Sequence, residues 1–384
     1  MKQDIAILTN NFLDPDDPSK TNIGGVETWL SEFSRLLIDM GYSPIIYQSS
    51  VSYFLLEQNG VKIIGTGQMD RYKFSKWSHK DIKKKQIKWI VYATSFVGEK
   101  YFIPNQIFIQ HGIHWDYPNM RPNFFERIKW ESIRKKLSQH DLKMCKNAKL
   151  TISVDTNFIN YARIKLGKYL DQNRIRYVPN FAIAHDKIEW QKKWDSTENI
   201  DIIFARRFVG RRGVHHFATA IEGLIRDFSN INVLIAGKGP AENFLRNKFK
   251  SDKQVEIQEI PHEKIASKLN KSHIAVIPSI YSEGTSLSCL EAMASGCAVI
   301  ATNVGGLGNI ILPDFNGLLI KPTIKDIREA IIHLIHNLTY AEELANNGFE
   351  TVTHAFSLTN WKKRIYESLI KSGIRDFSNR QIPS

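Results

Sequence analysis

Short apolar runs rich in β-branched residues alternate with amphipathic stretches along almost the whole chain of 384 residues. This alternation is typical of parallel strands joined by helices, because strands covered on both faces lack alternating polar positions. The predicted strands cover residues 4–8, 43–47, 62–64, 89–92, 107–110, 150–153 and 175–178 in the first half, and 201–205, 232–236, 255–257, 274–277, 298–301 and 317–320 in the second. We expect an α/β fold in which each half forms a doubly wound, Rossmann-like unit.

The periodicity stops between Pro179 and Asn199, where we place a hinge near residues 182–197. The predicted domains are residues 1–182 and 183–371, with a final helix that could cross back to the first domain. The segment 372–384 has little apolar content, and we expect it to fray. Open α/β sheets bind ligands beyond the carboxyl ends of their strands, so two such domains are expected to face an interdomain cleft that binds ligands.

Composition excludes several other classes of protein. With 42% hydrophobic and 24% charged residues, the chain is an ordinary globular one. Its three cysteines form no CxxC pair, so a structural zinc site is not expected. No stretch approaches the roughly 18 apolar residues of a membrane span, and the first residues lack an apolar signal core. We expect a soluble cytoplasmic protein.

Positive charge is concentrated in the first half of the chain. The net charge is +13 overall, with +10 over residues 1–180 and +3 over residues 181–384. Residues 62–88 alone carry nine lysines and arginines against two aspartates. Such a basic segment attracts nucleic acid, phospholipid headgroups or phosphorylated substrates, although an ordinary solvated surface would explain it equally well.

The strongest candidate for chemistry is the segment Ile277–Thr302, which is predicted to form strand, loop, helix and strand. Gly284 permits close approach of a ligand to the backbone. Backbone N–H groups at the helix start form a standard anion site without any metal, those of Thr285, Ser286 and Leu287. We expect a phosphate or diphosphate there.

Two glutamates in this segment, Glu283 and Glu291, are eight positions apart. On a helix this spacing is 80° beyond two full turns and about 12 Å of rise, so the two carboxylates can grip two parts of one elongated ligand. Carboxylates accept hydrogen bonds from paired hydroxyls, which makes a ribose and a hexose natural ligands. The alternative is that Glu291 is an ordinary surface residue.

Two further loops follow predicted strands of the second half. Arg207 and Arg212 flank a short loop after strand 201–205, where guanidinium groups could neutralise a diphosphate. A plain surface cluster of arginines is the alternative. Gly237 begins a glycine-punctuated turn, a weak signal because the full GxGxxG of a dinucleotide site is missing.

The first half offers two glycines and a histidine at strand ends. Gly24 and Gly25 lead into a helix after the first strand, and His111 follows strand 107–110 with His114 and Asp116 nearby. A histidine at such a place is as often structural as catalytic. The carboxylates of Asp14, Asp16 and Asp17 lie in a proline-broken loop and indicate a turn, so no metal site is expected.

Together these motifs resemble those of the retaining, GT-B-fold nucleotide-sugar glycosyltransferases of glycosyltransferase family 4, the glycosyl transferases group 1. The resemblance is dense over residues 201–320 and weaker at residues 24–27, 111–112 and 178–180. Its most specific part is the Glu-x7-Glu segment with the run LEAMASG. Arg212 stands where the family usually has lysine, and Phe181 follows Asn180 where a glycine is common.

The resemblance implies roles for the candidate residues. Glu283 would bond hydroxyls of the donor sugar, and Glu291 those of the nucleotide ribose. Arg207 and Arg212, with the amides of the Gly284–Leu287 loop, would hold the diphosphate, while the peptides around Gly237 and Ile260 would lie near the nucleotide, Ile260 against the base. His111 would lie near the transferred sugar and acceptor, and Gly24 and Gly25 would close over the donor phosphates or the acceptor.

The implied reaction is transfer of a glycosyl group from a nucleoside diphosphate sugar to an acceptor hydroxyl with retention, and without a metal or other cofactor. We favour a front-face mechanism, in which the departing diphosphate helps to take the acceptor proton. The expected acceptor is a lipid-linked glycan in bacterial surface polysaccharide synthesis, such as O-antigen or capsule. The alternatives are a GT-B nucleotide-sugar epimerase and a non-enzymatic basic protein that binds nucleic acid or membrane surfaces; no nucleic-acid-binding motif is found.

The basic first half could bind the inner face of an anionic membrane peripherally. Phe74 and Trp77 lie within residues 62–88, and aromatic residues alternate with basic ones over residues 124–137. Basic residues with aromatic anchors suit such a surface. The favoured alternative for an aromatic stripe at helical spacing is that it packs inward.

Overall fold

The computed structural model describes residues 3–20, 24–95, 98, 101, 103–113, 115–116, 124–184, 186–195, 198–281 and 283–378. These residues divide into two compact units. Unit 1 takes its residues from Met1–Trp115, Asn119–Pro179 and Trp361–Ser384, and unit 2 from Asp116–Pro118 and Asn180–Asn360. The division at Pro179 and Asn180 lies three residues before the predicted boundary.

Unit 1 contains an eight-stranded sheet, counted over the described residues, in the order β3-β4-β2-β1-β5-β6-β7-β8. The strands are β1 (Gln3–Leu8), β2 (Tyr42–Gln48), β3 (Tyr53–Gln58), β4 (Val61–Thr66), β5 (Trp89–Tyr92), β6 (Gln106–Gln110), β7 (Leu150–Ser153) and β8 (Ile175–Tyr177). The helices are α1 (Gly25–Asp39), α2 (Arg71–Lys84), α3 (Phe124–Asn147) and α4 (Thr156–Leu166). All pairings are parallel except that of β3 with β4.

Unit 2 has a parallel sheet of six strands within the described residues, in the order β11-β10-β9-β12-β13-β14. Its strands are β9 (Ile200–Ala205), β10 (Ile231–Ala236), β11 (Val255–Gln258), β12 (Ile274–Ile277), β13 (Ala298–Thr302) and β14 (Leu318–Ile320). The helices that follow in the chain are α5 (Lys187–Gln191), α6 (Val214–Asp227), α7 (Glu242–Lys248), α8 (His262–Leu269), α9 (Leu287–Ala294), α10 (Ile324–His336), α11 (Leu338–Ala355) and α12 (Leu358–Ser372). Helix α12 begins in unit 2 and belongs to unit 1 from Trp361 onward.

The fold class predicted from the apolar pattern is confirmed, and each of the predicted strands is present to within a residue or two. The apolar pattern does not predict β3, an antiparallel edge strand. Its side chains are mostly exposed, so it lacks the buried apolar run of the other strands. A signal was available in Asn59 and Gly60, which both have positive φ and form the two-residue turn to β4.

The predicted hinge is a folded part of unit 2. Trp190 is fully buried in the core of that unit, next to Gly296. A Cβ atom on Gly296 would lie 2.0 Å from the Trp190 ring, and Gly296 also has a φ of +63°. The loss of helical periodicity around Trp190 therefore marks a short packed segment rather than a free linker.

The expectation that the chain frays from Ser372 is wrong for the described residues. Ile374 is buried, and the Phe377 N–H donates to the Met40 carbonyl at 3.0 Å. The Phe377 ring packs against Tyr42 with ring centres 5.4 Å apart. Two apolar side chains suffice to attach a polar segment whose average composition predicts disorder.

The aromatic residues of the basic region also differ from expectation. Phe74 is fully buried in the core of unit 1, since it lies on the inner face of α2, and cannot be a surface anchor. By contrast, Phe125 and Ile128 on α3 are 82% and 54% exposed, so inward packing is wrong for these two. No helix within the described residues is long and apolar enough to cross a membrane.

Candidate functional site

Strand order in unit 2 reverses between β9 and β12, which are adjacent and parallel. Loops leaving the carboxyl ends of two such strands diverge to opposite sides, and the space between them is the usual ligand site of an open α/β sheet. Arg206 follows β9 directly, and Pro278 and Ser279 follow β12. The residues that meet here define the candidate site.

The carboxylate of Glu283 is the centre of this cluster. Its Oε2 accepts hydrogen bonds from Ser279 Oγ at 2.6 Å and Arg206 Nη2 at 2.9 Å, and it also pairs with Arg212. Arg206 Nη1 donates to Ser279 Oγ at 2.6 Å. The side chains of Arg206 and Glu283 are 4% and 5% exposed, whereas that of Arg212 is 17% exposed. The cluster is therefore a buried ion pair with one guanidinium that reaches the surface.

Electrostatics keeps Glu283 ionised. Burial by itself raises the pKa of this carboxyl, but the charges of Arg206 and Arg212 and the hydrogen bond from Ser279 outweigh burial and lower the pKa to about 2. Two cations against one buried anion leave a net positive site. Such a site suits an anionic ligand group.

Arg206 contacts Glu283, whereas Arg207, which the resemblance implies at the diphosphate, has no contact with this carboxylate. Arg207 is exposed, whereas its neighbour Arg206 is buried. Side chains alternate at the end of a strand, so a shift of one residue moves a guanidinium from the core to solvent. Because Arg206 and Arg207 are adjacent, the sequence alone does not show which of the two is buried at the end of β9.

Glycines bring the backbones of this cluster together. A Cβ atom on Gly237 would lie 2.1 Å from the Arg206 carbonyl oxygen, so the turn after β10 closes onto the Arg206 loop. On Gly305 it would lie 2.1 Å from the Glu283 carbonyl oxygen, and the Gly306 N–H donates to that oxygen at 2.7 Å. Gly237 was predicted from the sequence, whereas Gly305 and Gly306 were not. These two glycines are adjacent and follow a strand, a pattern that could have indicated a close backbone contact.

The loop from Gly284 to Leu287 is held from the start of unit 2. The backbone N–H of Asn180 donates to Thr285 Oγ1 at 2.8 Å, and its amide Nδ2 donates to the Thr285 carbonyl at 2.6 Å. Ser286 is the N-cap of α9, and the first N–H groups of a helix have no carbonyl partner inside it. The predicted anion site at Thr285, Ser286 and Leu287 is thus anchored next to the Glu283 cluster.

Glu291 lies apart from this cluster, on α9, and pairs with His262. His262 Nε2 and Glu291 Oε1 are 3.4 Å apart, with side chains 46% and 28% exposed. The hydrogen bond to Glu291 raises the pKa of His262, while burial opposes the rise. The half-buried Ile260 lies two residues before His262. Sequence analysis named Ile260 and Glu291 but missed His262.

The other three candidates, His111, Gly24 and Gly25, belong to unit 1. The His111 ring meets Trp29 of α1 edge-on, with ring centres 5.4 Å apart, and Trp29 meets Trp361 in the same way at 5.3 Å. Gly24 is the N-cap of α1, which begins at Gly25. His114 lies outside the described residues.

A buried amide holds the His111 loop. Gln110 Oε1 accepts the Gly112 N–H at 3.0 Å, and Gln110 Nε2 donates to Asp141 Oδ2 at 3.3 Å. Burial raises the pKa of Asp141 to about 6, although hydrogen bonds from Ser95 and Gln110 oppose it. Gln110 therefore fixes the backbone at Gly112, the residue that follows His111.

The aspartate-rich loop of unit 1 forms a turn. Asp14 Oδ1 accepts the N–H groups of Asp16 and Asp17 at 2.9 and 3.0 Å, and Asp17 pairs with Lys20. Over the described residues, no group of three or more histidine, cysteine or acidic side chains is arranged to hold a metal ion.

Comparison with known proteins finds a family model that is similar to part of unit 2. Residues 186–351 match the family model described as glycosyl transferases group 1. The matched residues all lie in unit 2.

Two relatives illustrate the range of similarity. An uncharacterised glycosyltransferase of Methanocaldococcus jannaschii is 33% identical over 177 residues, which are 44% of this chain and 48% of that protein. One component of the human phosphatidylinositol N-acetylglucosaminyltransferase is 23% identical over 86% of this chain and 69% of its own length. The chain thus spans about half of the first relative and two thirds of the second.

Solved structures share the GT-B fold over nearly the whole chain. Sucrose-phosphate synthase from Thermosynechococcus elongatus has a TM-score of 0.77 at 17% identity, covering 96% of this chain and 99% of its own. The glycosyltransferase WaaG, involved in lipopolysaccharide biosynthesis, has a TM-score of 0.73 at 13% identity and covers 96% and 100%. HepE from Anabaena in complex with UDP-glucose has a TM-score of 0.70 at 14% identity and covers 96% and 99%.

Adjacent arginines provide a matched test of the buried cluster. Arg206→Ala leaves part of the charge of a buried carboxylate uncompensated and should destabilise unit 2 by about 3 kcal/mol. Arg207→Ala removes an exposed side chain and should change stability by less than about 0.5 kcal/mol. Urea unfolding of the two variants measures the difference. Equal losses would contradict the assignment of Arg206 to the cluster.

Proposed function

We propose that this protein is a retaining glycosyltransferase, which moves a sugar from a nucleoside diphosphate sugar to an acceptor hydroxyl. The observation that carries the proposal is the positive Arg206–Glu283–Arg212 cluster at the strand-order reversal of unit 2, inside the segment that matches the family. A net positive, partly open site beside a helix N-terminus suits a diphosphate. The alternatives, an epimerase and a nucleic-acid-binding protein, are not favoured by the family or by the relatives.

In this proposal the diphosphate binds Arg212 and the amides of the Gly284–Leu287 loop, with Arg206 fixing the charge behind them. Glu291 binds the ribose, and the peptide at Ile260 lies against the base. Glu283 orders the two guanidinium groups and, as the resemblance implies, bonds hydroxyls of the donor sugar. The resemblance also implies a role for His111 of unit 1 toward the transferred sugar and the acceptor.

The chemistry proposed is front-face displacement. Arg212 stabilises the negative charge that develops on the departing diphosphate, and a diphosphate oxygen takes the proton of the acceptor hydroxyl as that hydroxyl attacks the anomeric carbon. The bond between the anomeric carbon and the diphosphate oxygen breaks on the face on which the acceptor oxygen forms its bond, so the anomeric configuration is retained. No metal ion is needed to neutralise the diphosphate if the arginines do so.

Product stereochemistry tests this mechanism. We expect the anomeric configuration of the donor to be kept, as read by NMR of the first product formed. An inverted product would contradict retention. A glycosyl group found covalently attached to the enzyme by mass spectrometry would instead contradict the front-face route.

Ligand-induced stabilisation tests the donor site without knowledge of the acceptor. We expect one of UDP, GDP, dTDP or CMP, or a sugar conjugate of it, to raise the unfolding temperature, since a ligand at 100 times its Kd adds about 2.7 kcal/mol. The shift should survive EDTA and be lost in Glu291→Ala, but kept in Glu343→Ala, an exposed glutamate on α11. A panel without any shift would count against the donor site, and loss of the shift in EDTA against metal independence.

For the acceptor, we propose a lipid-linked glycan of a bacterial surface polysaccharide, such as O-antigen or capsule. Support comes from two proteins named above, one with a lipid in its substrate name and one involved in lipopolysaccharide biosynthesis. A lipid-linked acceptor would require contact with the inner face of an anionic membrane.

The exposed surface of unit 1 supports such peripheral contact. Three residues at the edge strand β3, Val51, Tyr53 and Leu55, are about 60% exposed. Tyr53 packs against Trp77 of α2, with ring centres 6.1 Å apart, which joins this apolar edge to the exposed lysines of α2. Exposed apolar groups bordered by lysines are the usual features of an interfacial surface.

Charge reversal tests membrane contact. Changing the exposed Lys83, Lys84 and Lys85 to glutamate should abolish co-sedimentation with vesicles that contain phosphatidylglycerol, because the basic surface loses its attraction for anionic lipid. The same change at Lys250, Lys253 and Lys271, lysines of unit 2, is the matched control. Unchanged sedimentation of the first variant, or equal loss in both, would contradict a specific membrane face on unit 1.

A further inference from the structure

The ion pair between His262 and Glu291 joins two helices at the proposed nucleotide site. His262 is the first residue of α8, and Glu291 lies in the middle of α9. The contact uses a single carboxylate oxygen, with His262 Nε2 at 3.4 Å from Glu291 Oε1. Both side chains keep a substantial exposed fraction, 46% for His262 and 28% for Glu291, so a ligand can reach the pair.

Holding Glu291 by one oxygen has a direct consequence for binding. A glutamate on a helix surface has free rotamers, and ordering it on ligand binding costs conformational entropy. The imidazole restrains the carboxylate before a ligand arrives, and Oε2 remains an acceptor for a hydroxyl. Glu291 itself and the nearby acidic group Glu263 both raise the pKa of His262, which favours the cation that donates to Oε1.

We propose that His262 is a positioning residue for Glu291 and thereby sets the preference of the donor site for ribonucleotides over 2′-deoxyribonucleotides. The inference rests on the proposed function, in which Glu291 accepts hydrogen bonds from the ribose hydroxyls. It adds a residue that acts only through Glu291 and has no contact of its own with the ribose. Its effect therefore depends on the presence of the 2′-hydroxyl.

The experiment compares Kd values for three matched pairs: UDP and 2′-deoxy-UDP, GDP and 2′-deoxy-GDP, ADP and 2′-deoxy-ADP. For the base that binds, we expect the wild-type protein to prefer the ribonucleotide by roughly tenfold or more, the contribution of a hydrogen bond to a charged acceptor. His262→Ala should weaken the ribonucleotide several-fold and leave the deoxyribonucleotide unchanged, so that the preference falls toward that of Glu291→Ala.

Three variants separate positioning from other effects. His262→Gln keeps an N–H donor near Oε1 and should restore part of the preference. Glu343→Gln removes an exposed charge on α11 and should leave the preference near its wild-type value. In the double variant of His262→Ala with Glu291→Ala, the two losses should not add, because both remove one interaction.

Each outcome is decisive. An unchanged preference in His262→Ala, or an equal loss for both nucleotides of a pair, would overturn the inference, the second outcome indicating direct contact with base or phosphate. A wild-type protein that binds a nucleotide without preference for ribose would overturn the inference but leave the proposed function. Binding of dTDP alone would overturn the inference but leave the proposed function, whereas absence of binding for all six nucleotides and also for dTDP and CMP would overturn both. Thermal unfolding of each variant shows that the fold is intact.

Discussion

A carboxylate removed from water must meet compensating charge, and in this protein that requirement organises unit 2. Glu283 is almost completely buried, and the two guanidinium groups and one hydroxyl that compensate it come from the ends of β9 and β12 and from the loop before α6. An isolated buried charge would cost several kcal/mol of folding free energy. The three loops must therefore come together around Glu283. The positive surplus that remains is what makes the site suitable for an anion.

These loops can approach one another so closely only because glycines stand at the contact points. Pro278 O lies so close to Gly213 that a Cβ atom there would be 1.7 Å away, and similar approaches occur at Gly237 and Gly305. Each glycine lets one backbone segment touch another at the mouth of the sheet. The buried ion pair and the glycine contacts are thus two parts of one arrangement, because the charges can meet only where the backbones can approach.

The two glutamates of the Glu-x7-Glu segment have different physical environments. Glu283 is buried and binds three protein groups through Oε2, whereas Glu291 is partly exposed and is held through Oε1 by His262. A buried, committed carboxylate orders its neighbours, and an accessible one can exchange solvent for ligand hydroxyls. Two glutamates eight residues apart therefore differ in environment: one is buried and orders two arginines, and the other is open to ligand hydroxyls.

The pattern of apolar runs was enough to predict the parallel sheets and the two-unit organisation. A strand that is buried on both faces is a continuous apolar run, which can be recognised from the local sequence. It also located the segment from Glu283 to Glu291, since helix starts and glycines have local signals. The choice of Arg206 over Arg207, the pairing of His262 with Glu291 and the inward position of Phe74 were decided only by the tertiary structure. Each of these three features depends on which side of a strand or helix contacts a residue distant in sequence. In a strand, a shift of one residue moves a side chain to the opposite face.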